Sequence, residues 1–148
     1  MIAMLSALLA AAPLAPPSPL APPAAHEARE RPAVCAVVDI GSDQTPHLRH
    51  RFRATRILDL EFETLVFGRT RRERSLQLRL YTPQGFLYQV LETTLDPERR
   101  RKRRFESRLP VAGTSIMASG LYGRWKVVPH LDGRHEPCGQ ARSFVIQP

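Results

Sequence analysis

Six consecutive cations, Arg99, Arg100, Arg101, Lys102, Arg103 and Arg104, are the densest chemistry in this chain. Such side chains bind phosphates, sulfates and carboxylates. At this density their mutual repulsion favours an exposed loop or strand end. The run is read as an anion or partner contact, set against the plainer reading of a solvated loop or strand. In an envelope setting its matching anions are lipopolysaccharide, phospholipid headgroups or an acidic partner protein. Single-strand nucleic-acid recognition needs interleaved aromatics, and Phe105 is the only one within reach. Specific nucleic-acid binding is therefore not expected. A processing site for a basic-specific protease is a further reading of the same run.

The segment from His130 to Cys138 collects metal-ligand types: His130, Asp132, His135, Glu136 and Cys138. Their spacing matches no standard zinc pattern. Asp132-Gly133 is explained by a tight turn, and Cys138 by a disulfide. A metal site here is kept only as a second alternative, and no cofactor is expected. Catalytic motifs are missing: there is no G-x-S-x-G, no phosphate-cradling glycine loop and no H-E-x-x-H. Glu61 and Glu63 share a strand face, the usual wet face of an alternating strand. The expectation is that the protein is not an enzyme.

Cys35 and Cys138 are the only cysteines. An even count in an exported chain suggests one disulfide, and two buried thiols are the alternative. Export is suggested by residues 1–25, read as a signal peptide with an uncertain cleavage site. Met1 to Ala15 is apolar and uncharged, too short for a span of about 20 residues but suited to a signal h-region. Residues 26–32 complete a proline-rich linker, and residues 33–148 form the folded domain. Seven of the fourteen prolines lie in residues 1–32, which carry no net charge. The formal +8 therefore belongs to residues 33–148. Arginine supplies nearly all of it, a bias that GC-rich coding can produce, so basicity alone is no argument for nucleic acid.

The elements that must position these residues are short strands. Leu58, Leu60, Phe62, Thr64 and Val66 alternate with Asp59, Glu61, Glu63 and Leu65, a period of two. Leu76, Leu78 and Leu80 repeat the pattern. Thr82-Pro83-Gln84-Gly85 is a turn, and residues 86–93 return from it with competing registers. Residues 33–40, 109–117, 120–133 (entered through glycines and left through Asp132-Gly133) and 143–146 supply the remaining strands, and residues 96–108 read as a charged interruption. Pro129 cannot donate to a ladder, which places its strand at an edge or at a bulge. The result is about seven strands and no amphipathic helix, an all-β antiparallel sandwich of immunoglobulin-like type.

Gly123-Arg124-Trp125-Lys126-Val127, then Asp132-Gly133, then Phe144-Val145-Ile146 resembles the last two strands of exported bacterial immunoglobulin-like domains. The resemblance is at superfamily level. It implies the fold and a periplasmic or extracellular setting, and it brings no functional residues. Tyr122 resembles the tyrosine corner of such sandwiches. By analogy, the chain is expected to be a non-catalytic interaction or structural module of a bacterial envelope with an envelope protein partner. The alternative is a binder of polyanions or anionic membrane surfaces, such as anionic lipid or polysaccharide, through residues 99–104.

Overall fold

Strand β3 (Asp59–Phe67) sits at the centre of a three-stranded sheet because alternate residues are apolar. Leu60, Phe62, Thr64 and Val66 point inward and are fully buried. The computed structural model describes residues 34–43, 50–68, 71–97 and 101–148. The signal peptide and linker expected over residues 1–32, and Arg99 and Arg100, lie outside the described residues. In the first sheet, β1 (Val34–Ser42) and β6 (Lys102–Pro110) flank β3 in antiparallel register. The second sheet has the order β2 (Arg51–Arg53), β8 (Arg142–Gln147), β7 (Gly123–Leu131), β4 (Arg74–Tyr81), β5 (Leu87–Leu95). Its pairs are antiparallel except β2, which runs parallel to β8. Two facing sheets in this order form an immunoglobulin-like β-sandwich.

The eighth strand arises because the chain changes sheets. After β1 it crosses to the second sheet as β2 and then makes a single 3₁₀ turn, Ala54–Arg56. Leu58, expected on the inner face, is 60% exposed, because β3 begins one residue later. Its carbonyl instead accepts the Val111 and Ala112 amides at 2.8 and 3.1 Å. Those two bonds end β6. The strand expected over residues 109–117 is replaced by a turn through Gly113 and by a four-residue helix, α1 (Ser115–Ala118), capped by Thr114.

Trp125, Phe144 and Phe62 form the aromatic centre of the core. Trp125 stacks on Phe144 at 6.2 Å and meets the edge of Tyr88 at 5.1 Å. Its indole N–H donates to the Leu121 carbonyl at 2.9 Å, so the tie across this corner comes from the tryptophan, while the Tyr122 ring packs against the core. The competing registers of β5 resolve through a bulge at Tyr88, where Gln89 pairs with Leu80 and Leu87 with Tyr81. Tyr88 and Leu91 both pack on the core across that irregularity, leaving Phe86, Leu87 and Val90 exposed.

One inward group is mismatched. The Thr64 hydroxyl is buried with no hydrogen-bond partner among the described residues. An unpaired buried hydroxyl is unfavourable, and valine has the same shape without it. Thr64→Val is expected to raise stability by about 1 kcal/mol, read as a higher urea midpoint at unchanged m-value. A lower midpoint would show that the hydroxyl is satisfied.

Candidate functional site

The two sheets are joined by a clasp built from the segment after β7. Asp132 and Gly133 take positive φ values of 54° and 63°, and the Arg134 amide donates to the Leu131 carbonyl at 3.1 Å. That is the Asp-Gly turn expected from the sequence, with both central residues left-handed. The chain then returns beside β7, where the Cys138 amide donates to the Pro129 carbonyl at 3.0 Å. On its other side the Cys138 carbonyl accepts the Cys35 amide of β1 at 2.9 Å. Cys35 and Cys138 are disulfide-bonded, with a Cα–Cα distance of 5.2 Å. Gly139 is required here, since any Cβ would collide with the Cys35 backbone carbonyl.

This geometry corrects the placement of Pro129. Its strand is not an edge, because β7 lies between β8 and β4. The β8 ladder ends at the Val127–Arg142 pair, two residues before the proline. A residue's N–H and C=O point to the same side of a strand. The Pro129 carbonyl faces Cys138, so its missing N–H falls where β8 has already ended. A central strand tolerates proline on those terms.

Three of the five residues considered for a metal, His130, Asp132 and Cys138, are engaged elsewhere. Asp132 accepts Arg74 Nε at 2.9 Å and the Ser75 amide at 3.1 Å. Cys138 is oxidised, and among the described residues no three acidic, histidine or cysteine side chains are placed to hold a metal ion. His130 is 4% exposed, and its Nδ1 donates to the Arg134 carbonyl at 3.0 Å. Burial, the largest influence, holds its pKa below the ordinary 6.5. Arg79 and His135 repel the cation further, while backbone hydrogen bonds at Arg134 and Glu136 oppose both. Folding therefore favours neutral His130. As pH falls, the unfolded chain takes up this proton first, so the stabilisation present above about 6.5 is lost below it. Urea midpoints should fall as pH drops below about 6.5, and His130→Gln should flatten that part of the profile. Identical slopes in the two proteins would refute this.

Of the basic run, Lys102, Arg103 and Arg104 lie in a strand. Residues from Lys102 onward form β6, an edge strand that alternates across the sheet. Arg103 points inward, stacks on Phe105 at 5.4 Å and donates to the Asp96 carbonyl at 2.7 Å. Arg104 pairs with Glu63 at 2.8 Å, and Arg108 with Glu61 at 3.1 Å. Lys102 lies over the Phe67 ring at 6.0 Å. The acidic outer residues of β3 thus meet the cations of β6, which is why so charged a stretch forms a strand. Beside them, Asp39, Glu63 and Glu106 occupy one cross-strand row lining a groove of about 260 Å³.

A second set of cations, drawn from separate stretches of sequence, lies on the outer face of the five-stranded sheet. Arg51 pairs with Val145, and Val145 with Arg124, so the three form one row across β2, β8 and β7. Arg53 and Lys126 flank that row, and Lys126 lies over the Tyr81 ring at 5.7 Å. Arg51, Arg53, Arg124 and Lys126 are all exposed. Among the described residues, none of them has an ion pair. Sequence reasoning overlooked this set because no two of its four members are consecutive.

The sequence matches no protein-family model and no curated protein. Among solved structures, the chain is similar to the CARDB domain of a Pyrococcus furiosus protein, solved in complex with di-metal ions. Identity is 9%, the TM-score is 0.44, and the match covers 80% of this chain and 89% of that one. The immunoglobulin-like assignment rests on strand order and register, and a likeness at this level adds neither ligand nor activity.

Proposed function

We propose that the chain is a non-catalytic interaction module exported to a bacterial envelope. The observation that carries the reading is the disulfide clasp. It ties β1 of one sheet to the segment beyond β7 of the other, and such bonds persist in oxidising compartments. The residues that could otherwise do chemistry support it. His130, Asp132 and Cys138 hold the turn and the clasp, and Glu61 and Glu63 hold β6. What remains exposed and uncommitted on the described surface suits binding.

Fractionation of cells expressing the full chain tests this. The expected result is protein outside the cytoplasm, with two thiols appearing by intact mass only after reduction. Reduced, cytoplasmic protein would overturn the reading. The alternative of anion binding through residues 99–104 is weakened by the contacts of Arg103 and Arg104. The same chemistry is better served by the second cation set.

A further inference from the structure

The four cations of this second set lie at the same end of the five-stranded sheet as two of the most exposed apolar side chains. Phe86 is 72% exposed and Leu87 54%. Leu87 pairs with Tyr81, and Tyr81 pairs with Lys126, so they share one row of the sheet. The turn carrying Phe86 packs on the start of β7: a Cβ placed on Gly123, next to Arg124, would lie 3.1 Å from the Pro83 ring. With strands spaced about 4.8 Å, Arg51 and Arg124 sit about 10 Å apart across β8, and Lys126 follows Arg124 by about 7 Å. The carboxylate this face offers on β5, Glu92, lies toward the opposite end and accepts the Ser75 hydroxyl.

We infer that this end of the sheet is a peripheral docking surface for an anionic phospholipid bilayer. The cations meet headgroup phosphates, and Phe86 and Leu87 enter the acyl boundary. Charge complementarity selects the anionic ligand. The apolar pair selects a bilayer over a soluble polyanion, since a sulfated or phosphorylated chain offers nothing in which to bury Phe86. Basic residues near an anionic leaflet and apolar side chains at its boundary contribute jointly to such binding. The sheet presents its cations on one broad face rather than in a cleft, as a planar ligand requires. This inference rests on the reading of the domain as an exported binding module.

The test is co-sedimentation of the oxidised full chain with phosphatidylglycerol–phosphatidylcholine vesicles. Phosphatidylcholine vesicles alone and immobilised heparin serve as comparisons, and all variants share the same N-terminal segment. Each cation lost should weaken anionic-vesicle binding by about fivefold, so Arg124→Gln with Lys126→Gln should weaken it by about 25-fold. Phe86→Ser with Leu87→Ser should weaken vesicle binding by about tenfold or more and leave heparin retention unchanged. Arg101→Gln with Lys102→Gln, in the basic run, should change it by less than about twofold, because that edge lies on the other sheet. Unchanged melting shows that each variant is folded. Vesicle binding indifferent to Arg124 and Lys126, or equally sensitive at Arg101 and Lys102, overturns the inference. So does loss of heparin and vesicle binding together on removing Phe86 and Leu87. Folded, oxidised, exported protein that ignores vesicles overturns the membrane assignment and leaves the binding-module reading standing. Cytoplasmic, reduced protein overturns that reading instead.

Discussion

Replacing Cys35 and Cys138 together with alanine is expected to destabilise the domain by about 4–5 kcal/mol. The bond closes a sequence separation of 103 residues, near the upper end of what chain entropy gives. At about 4 °C per kcal/mol for a domain of this size, melting should fall by roughly 15–20 °C. The clasp adds a local reason. The backbone bonds between Cys35 and Cys138, and between Cys138 and Pro129, are held in place by the same linkage. Arg142 Nε, which donates to the Val37 carbonyl at 3.1 Å, would be left as a side-chain tie between the sheets. Thermal melts of oxidised, reduced and doubly substituted protein check this. Reduced and substituted proteins should agree, and a reduced protein melting with the oxidised one would refute the expectation.

Trp125→Ala should be nearly as damaging, at about 3–5 kcal/mol. Trp125 is fully buried between Tyr88 and Phe144, and its indole N–H satisfies the Leu121 carbonyl. Truncation opens a cavity and removes that donor together. Trp125→Phe separates the two effects: it keeps an aromatic filler and loses the hydrogen bond, for about 1–3 kcal/mol. Because Trp125 is the only tryptophan, unfolding of both variants is best followed by circular dichroism. A phenylalanine variant as unstable as the alanine one would assign the effect to the hydrogen bond rather than to packing.

Strands with apolar residues at strict alternation were legible in the sequence. Leu60–Phe62 and Leu76–Leu78–Leu80 declare their inner faces, and the Asp132-Gly133 turn declares itself by residue type. Strand β6 was hidden, because a strand signal was sought in apolar residues. Its alternation is instead one of destination, with Arg103 and Ser107 going inward and Arg104 and Arg108 going to glutamates of β3. Those partners lie some forty residues away, and only the register brings them together. The β5 bulge was hidden for a related reason. Two inner faces competed in the sequence because the strand uses both, Tyr88 at the irregularity and Leu91 beyond it.

The candidate surface was the least legible part. A run of six cations draws the eye, yet adjacency along a strand sends neighbours to opposite faces. Arg51, Arg53, Arg124 and Lys126 are two apart within their strands and adjacent only across them. A basic face on a sheet is written as alternate residues in separated segments, a pattern that composition cannot reveal.

The parallel pairing of β2 with β8 has a consequence in time. Arg51 finds its partner at Val145, and Cys35 finds its own at Cys138, so β2 waits for the last strand and the clasp waits for the segment after β7. Such non-local closure slows folding relative to chains built on neighbouring contacts. During synthesis, β2 therefore remains without its native sheet partner, and Cys35 without its clasp, until those later segments exist. A domain that closes this late leaves Arg51–Arg53 and the Cys35 thiol open to other partners for most of its own synthesis.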